Sequence, residues 1–98
     1  MTGTVAQVEW AGRIKTSANA EFDRVAACFR AVASVQSAPK RADTEAIIAI
    51  LEQKRAEVMN REDAGYFIRD WQEIGDQVRR MIGQDAEYRA IGVRNVKE

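Results

Sequence analysis

Apolar residues recur in the first third of the chain at intervals of three and four: Val8, Ala11, Ile14, Ala18, Phe22, Val25, Phe29 and Val32. That spacing keeps one face of a helix apolar and predicts a first helix over about 4–36. Thr4 followed by Gln7 supplies a capping box at its start. Within Lys15-Thr16-Ser17-Ala18-Asn19, residues that compete for backbone hydrogen bonds cluster and offer a place to bend, yet the apolar period crosses the cluster unbroken and favours one continuous helix. Ser37-Ala38-Pro39 ends it, because proline disfavours helical geometry in the residue before it.

A second helix is predicted over about 43–59, capped by Asp43 or Thr44, with Ile47, Ile48, Ile50, Leu51, Val58 and Met59 as its apolar surface. Asn60 and Asp63 then mark a new start. Ala64, Phe67, Trp71, Ile74, Val78 and Met81 follow at intervals of 3, 4, 3, 4 and 3 and predict a third helix over about 61–82, closed by Gly83. A single helix over 43–82 is the alternative. Asp85 opens a short last helix over about 85–91, stopped by Gly92, with a frayed tail beyond Val93. No strand alternation and no Asn-Gly or Asp-Gly hairpin dipeptide occurs. The fold class is therefore an all-α, three-helix arrangement with a long N-terminal helix and a short C-terminal one, in a single domain over 1–98.

A 30-residue helix is about 45 Å long, whereas a compact domain of this size has a radius of gyration of about 13 Å. The first helix is thus expected to overhang its own body at the N-terminal half, leaving Val5, Val8, Trp10 and Ile14 to be covered by a second copy in a two-fold homodimer. From Phe22 onward the helix is apolar over a wide arc, with Val25, Ala26, Cys28, Phe29, Val32, Ala33 and Val35, so the core is expected there. Cys28, flanked by Ala26, Ala27 and Phe29, reads as a buried core thiol.

Composition then limits the chemistry. Fifteen basic and fifteen acidic side chains cancel, which argues against nucleic acid or an anionic membrane surface as partner. With no histidine and one cysteine, zinc sites of the usual kinds, histidine-based triads and an intrachain disulfide have no residues to use. No apolar run approaches the roughly 18 residues of a membrane span and no signal-peptide core is present, so a soluble cytoplasmic protein is expected. No metal and no cofactor is expected. Arg69, Arg79, Arg80 and Arg89 could form an anion patch, but Glu73 and Asp76 lie one helical turn away and predict solvated ion pairs instead. Lys40-Arg41 offers too few charges to hold nucleic acid. The carboxylates Glu62, Asp63, Asp70, Glu73 and Asp76 lack the histidines that helix-borne metal sites use. Trp71 lies inside a regular stripe and is expected in the core, whereas Trp10 lies off the Val8-Ala11-Ile14 line.

In the lengths of its helices the chain resembles the all-helical chorismate mutases, which are intertwined dimers. That resemblance implies a small helical enzyme whose arginines and a lysine, here Arg13, Arg30 and Lys40, cage an anionic metabolite. It extends to outline and not to motifs, since Ile50 and Leu51 stand where polar residues would be needed. The expected function is a non-enzymatic helical protein–protein interaction module, a self-associating adaptor, inhibitor or small assembly component of the kind phages and mobile elements encode. Its contact residues are expected to be Val5, Val8, Trp10, Arg13 and Ile14. The helical enzyme and, behind it, a nucleic-acid-binding helical protein are the alternatives.

Overall fold

A computed structural model describes residues 1–97, with side chains placed for residues 1–92. Five helices account for nearly all of them: α1 (Val5–Ala33), α2 (Ala38–Met59), α3 (Ala64–Asp70), α4 (Ile74–Gln84) and α5 (Ala86–Lys97). The all-α class, the long first helix and the short last one are as the sequence indicates. Thr4 forms the expected capping box: its hydroxyl accepts from the Gln7 amide at 3.2 Å while its own amide donates to Gln7 Oε1 at 3.0 Å. α1 runs without interruption through Thr16 to Asn19, where the Thr16 hydroxyl is satisfied within the helix by the Gly12 carbonyl at 3.0 Å.

The boundaries depart from the sequence pattern in three places. α2 starts at Ala38 and not near 43, because a proline in the first turn has no intrahelical N–H bond to forfeit; Pro39 occupies that turn behind the cap Ser37. The third predicted helix, 61–82, is two helices. It begins only after Asp63, whose Oδ1 accepts from the Gly65 amide at 3.0 Å, and it breaks at Trp71 to Glu73. The apolar stripe nevertheless holds across the break: Ala64, Phe67, Trp71 and Val78 are all buried. The last helix does not stop at Gly92. An isolated glycine inside a helix costs only about 1 kcal/mol relative to alanine, and the backbone of α5 continues to Lys97. Glu98 lies outside the described residues.

Cross-helix pairs give the topology. Arg30 meets Glu52, Asp23 meets Arg55, and Lys15 Nζ reaches the Arg61 carbonyl, so α2 returns antiparallel along α1. α3 then runs parallel to α1, with Lys15 over the Phe67 ring and Phe22 against Trp71. α4 and α5 close the open side of the α1–α2 pair. Lys54 on α2 holds Asp85, whose Oδ1 also caps α5 by accepting from the Tyr88 amide at 3.1 Å. That amide, followed by Lys54, holds the Asp85 carboxyl below the usual aspartate range. The body measures 51 × 23 × 19 Å with a radius of gyration of 15.5 Å, so the long helix is accommodated by an elongated body.

The largest fully buried side chains are Trp71, Phe22, Phe67, Leu51, Val58 and Val78. The core therefore sits at the middle of α1. The expectation that it extends over the whole arc beyond Phe22 is corrected: Ala26 and Ala33 are buried, but Cys28 is exposed, as are Val32 (48%) and Val35 (85%). Beyond Phe22 the covered apolar positions are Ala26 and Ala33, with Val25 and Phe29 half-buried against the core.

The N-terminal residues strap the two ends of this layer together. Thr2 donates its amide to the Glu62 carbonyl at 2.8 Å and accepts from the Ala64 amide at 3.1 Å, a single parallel bridge between Thr2 and Asp63. Gly3 turns the chain from the bridge into Thr4 at φ 137°, where a side chain is strained and a Cβ would approach the Ala64 Cβ at 3.2 Å.

Two outcomes are expected in denaturant unfolding. Gly3→Ala should lower stability by about 1–3 kcal/mol, from backbone strain and contact with Ala64; an unchanged midpoint would mean the strap contributes nothing. Trp71→Ala should cost about 3–5 kcal/mol, whereas Trp71→Phe should cost clearly less, because it also deletes a buried indole N–H that has no acceptor among the described residues.

Candidate functional site

The residues expected to form a contact surface are divided by the structure. Val8 and Ile14 are half-buried against the core, so the N-terminal half of α1 is covered from within the chain by α3. Val5 is 78% exposed and projects to the α2 side of the helix by its phase. Trp10, 49% exposed, and Arg13, exposed, point outward. Trp10 and Cys28 are eighteen residues, or five turns, apart, so they lie on one line along the helix.

That line belongs to a second series offset from the core stripe. Trp10, Ile14, Ser17, Glu21, Arg24, Cys28, Ala31 and Val35 are spaced 4, 3, 4, 3, 4, 3 and 4. Seven lie on α1; Val35 follows in the closing turn, where its amide donates to the Val32 carbonyl at 3.2 Å. Trp10, Ser17, Arg24, Cys28, Ala31 and Val35 are exposed, while Ile14 and Glu21 are half-buried at the edge. Sequence reasoning assigned Cys28 and Val35 to the core because an apolar residue every three or four positions looks alike from either flank. The signal available was that two such series run side by side, more than a single packed face of an outer helix needs.

Charge occupies only the centre of the series. The Arg24 guanidinium donates through Nε to Glu21 at 3.1 Å, and a second bond joins its Nη2 to the same carboxylate. This bond, aided by the positive charges of Arg24 and of Arg79 on α4, holds the Glu21 carboxyl below the usual glutamate range. The neighbouring positions on the solvent side, Ala20, Ala27 and Ser34, are small and exposed.

Other groupings disperse. Arg13 and Arg30 stand seventeen residues apart on α1, about 25 Å along its axis, and Arg30 is paired with Glu52 at 3.2 Å, so no cage of Arg13, Arg30 and Lys40 forms. Arg79 pairs with Asp76, Arg69 with Asp70 at 3.5 Å, Arg80 with Gln77, and Arg89 donates to the Gly83 carbonyl at 2.7 Å. The basic residues near the end of α4 are thus solvated pairs and caps. Arg41 has a structural task, donating to the Ala33 carbonyl at 3.2 Å and the Gln36 carbonyl at 3.0 Å, which satisfies the end of α1. Glu62 takes Lys15 at 3.8 Å and the N-terminal ammonium at 3.6 Å. Among the described residues no group of acidic or thiol side chains could hold a metal ion, and no helix is long and apolar enough to cross a membrane. One open concavity is lined by Glu9, Gly12, Arg13, Thr16 and Ser17 on the outer side of α1.

Compared with known proteins, the chain matches no family model, no curated sequence and no solved structure.

The division between structural and merely solvated arginines is measurable. Arg41→Ala should cost about 1 kcal/mol in urea unfolding by removing its bonds to the Ala33 and Gln36 carbonyls, while Arg80→Ala should stay within about 0.5 kcal/mol. Equal effects would mean Arg41 does not cap α1.

Proposed function

We propose that this chain is a non-enzymatic helical interaction module that works by self-association, as an adaptor, inhibitor or small assembly component. The observation that carries this is the exposed series on the flank of α1, with Trp10 at one end and Val35 at the other. A solvated helix flank is ordinarily rich in charge, whereas this strip carries apolar side chains toward both ends, and exposed apolar patches on a small protein are characteristic of contact surfaces. Here the strip extends for about 38 Å and includes an aromatic anchor of the type that dominates interface energetics. Its own centre is polar, which suits a contact made and released in water better than a permanently fused core. An exposed thiol within the strip is at home in a reducing cytoplasmic setting.

Arg13, Arg30 and Lys40 are dispersed within the single chain, and no second reading has an observation of its own. Size exclusion with light scattering is the test. A mass of about 22 kDa, twice the 11.0 kDa chain, is expected at tens of micromolar protein. Trp10→Ala should move the mass toward the monomer while helical circular dichroism is retained. A monomer at every concentration would overturn the proposal, and loss of helicity in Trp10→Ala would make that residue part of the core.

A further inference from the structure

Resting on α1's flank as the surface of self-association, we infer that the second copy docks antiparallel on the same flank, about a two-fold axis between Phe22 and Asp23, with Glu21 and Arg24 exchanged between the chains. In antiparallel pairs of helices the two apolar positions of a seven-residue repeat face each other across the axis. Placed in this register, Trp10 faces Val35 of the second copy, Ile14 faces Ala31, Ser17 faces Cys28, and Glu21 faces Arg24. Every position of the series has a partner, and the two central ion pairs are reciprocal, as an isologous interface requires.

The charges select this arrangement over its neighbours. A parallel, in-register pair would set Glu21 against Glu21 and Arg24 against Arg24, and like charges in contact are costly. Sliding the antiparallel pair by one repeat in one direction puts Arg24 opposite Ile14 and strands Ala31 and Val35. Sliding it in the other puts Arg24 opposite Cys28 and strands Trp10 and Ile14. A polar pair within an otherwise apolar seam is a known device for fixing register and orientation at some expense of stability. Ala20 and Ala27 beside the seam face each other in the same register, and their small side chains let the helices approach closely. Within one chain Arg24 already lies on the Glu21 carboxylate, so the second copy would meet a preformed charge pair.

The full chain carrying Ser17→Cys, with Cys28 in place, tests the register. Within one chain these positions are eleven residues, about 16 Å, apart on a rigid helix and cannot be joined. Oxidation, or treatment with the shortest bismaleimide, is expected to give a covalent dimer whose peptide map contains the mixed 17-to-28 link. A dimer joined only through 17-to-17 and 28-to-28 links would overturn the antiparallel register while leaving self-association intact. A chain monomeric by light scattering before cross-linking would overturn the self-association beneath it. Charge exchange gives an independent readout. Glu21→Arg and Arg24→Glu should each raise the dimer dissociation constant at least about tenfold, since each sets like charges across the axis. An equimolar mixture of the two should recover the dimer, although neither chain retains its internal pair. Retained dimerisation of both single variants, or failure of the mixture to recover with both chains helical, would overturn the exchanged pair.

Discussion

Trp71 must place a bicyclic ring near the middle of a body only 19 Å thick, and that requirement governs where the helices stop. Its ring meets Phe22 at 6.0 Å between centroids, inclined by 54°, a tilted contact of the kind aromatic pairs prefer. Had α3 continued, the chain after Trp71 would have been carried onward in line with α3. Ending the helix there turns the chain so that Ile74, Val78 and Ile82 also face inward, and α4 reaches Lys54 on α2 through Asp85. Among the described residues the indole N–H has no acceptor, and the ring is buried all the same.

Much of this was legible in the sequence because it depends on local chemistry or on periodicity. The capping box at Thr4 and Gln7 uses residues three apart, and the inward face of 64–81 follows from spacing alone. The break at Trp71 to Glu73 was not legible: Gln72 and Glu73 are good helix formers, and only the need to pack two short helices on α1 overrides them. The start of α2 was missed because Pro39 marks the end of one helix and the first turn of the next with equal ease. Burial of Cys28 was misjudged because its neighbours in sequence are apolar, while its neighbours in space depend on helix phase, which sets it beneath Trp10 and not beside Phe22. The same phase separates Trp10 from Val8, two residues the sequence had grouped on one overhanging half, and leaves Ile14 at the edge between them.

Charge serves the fold mainly as a set of spacers between α1 and α2. Asp23 with Arg55, and Arg30 with Glu52, bridge the helices from positions two turns apart on α1, and Glu52 also takes Arg55 at 3.4 Å. Partly exposed pairs of this kind add little stability each, but they fix how far the two helices slide along one another. With acids and bases equal in number at fifteen each, the chain carries no net charge to attract a distant polyanion.

The bridge between Thr2 and Asp63 closes a loop of about sixty residues, whereas the α1–α2 turn is closed within a handful through Arg41, Thr44 and Gln36. Chain entropy orders these events: the short turn forms at small cost, and the long closure is rewarded only once both helices are already in place. The N-terminal strap is therefore a latch fastened late on a hairpin that assembles first, and Gly3 is its hinge. Opening that latch would free the first turn of α1 and the start of α3 together, leaving the Phe22 and Trp71 contact closed.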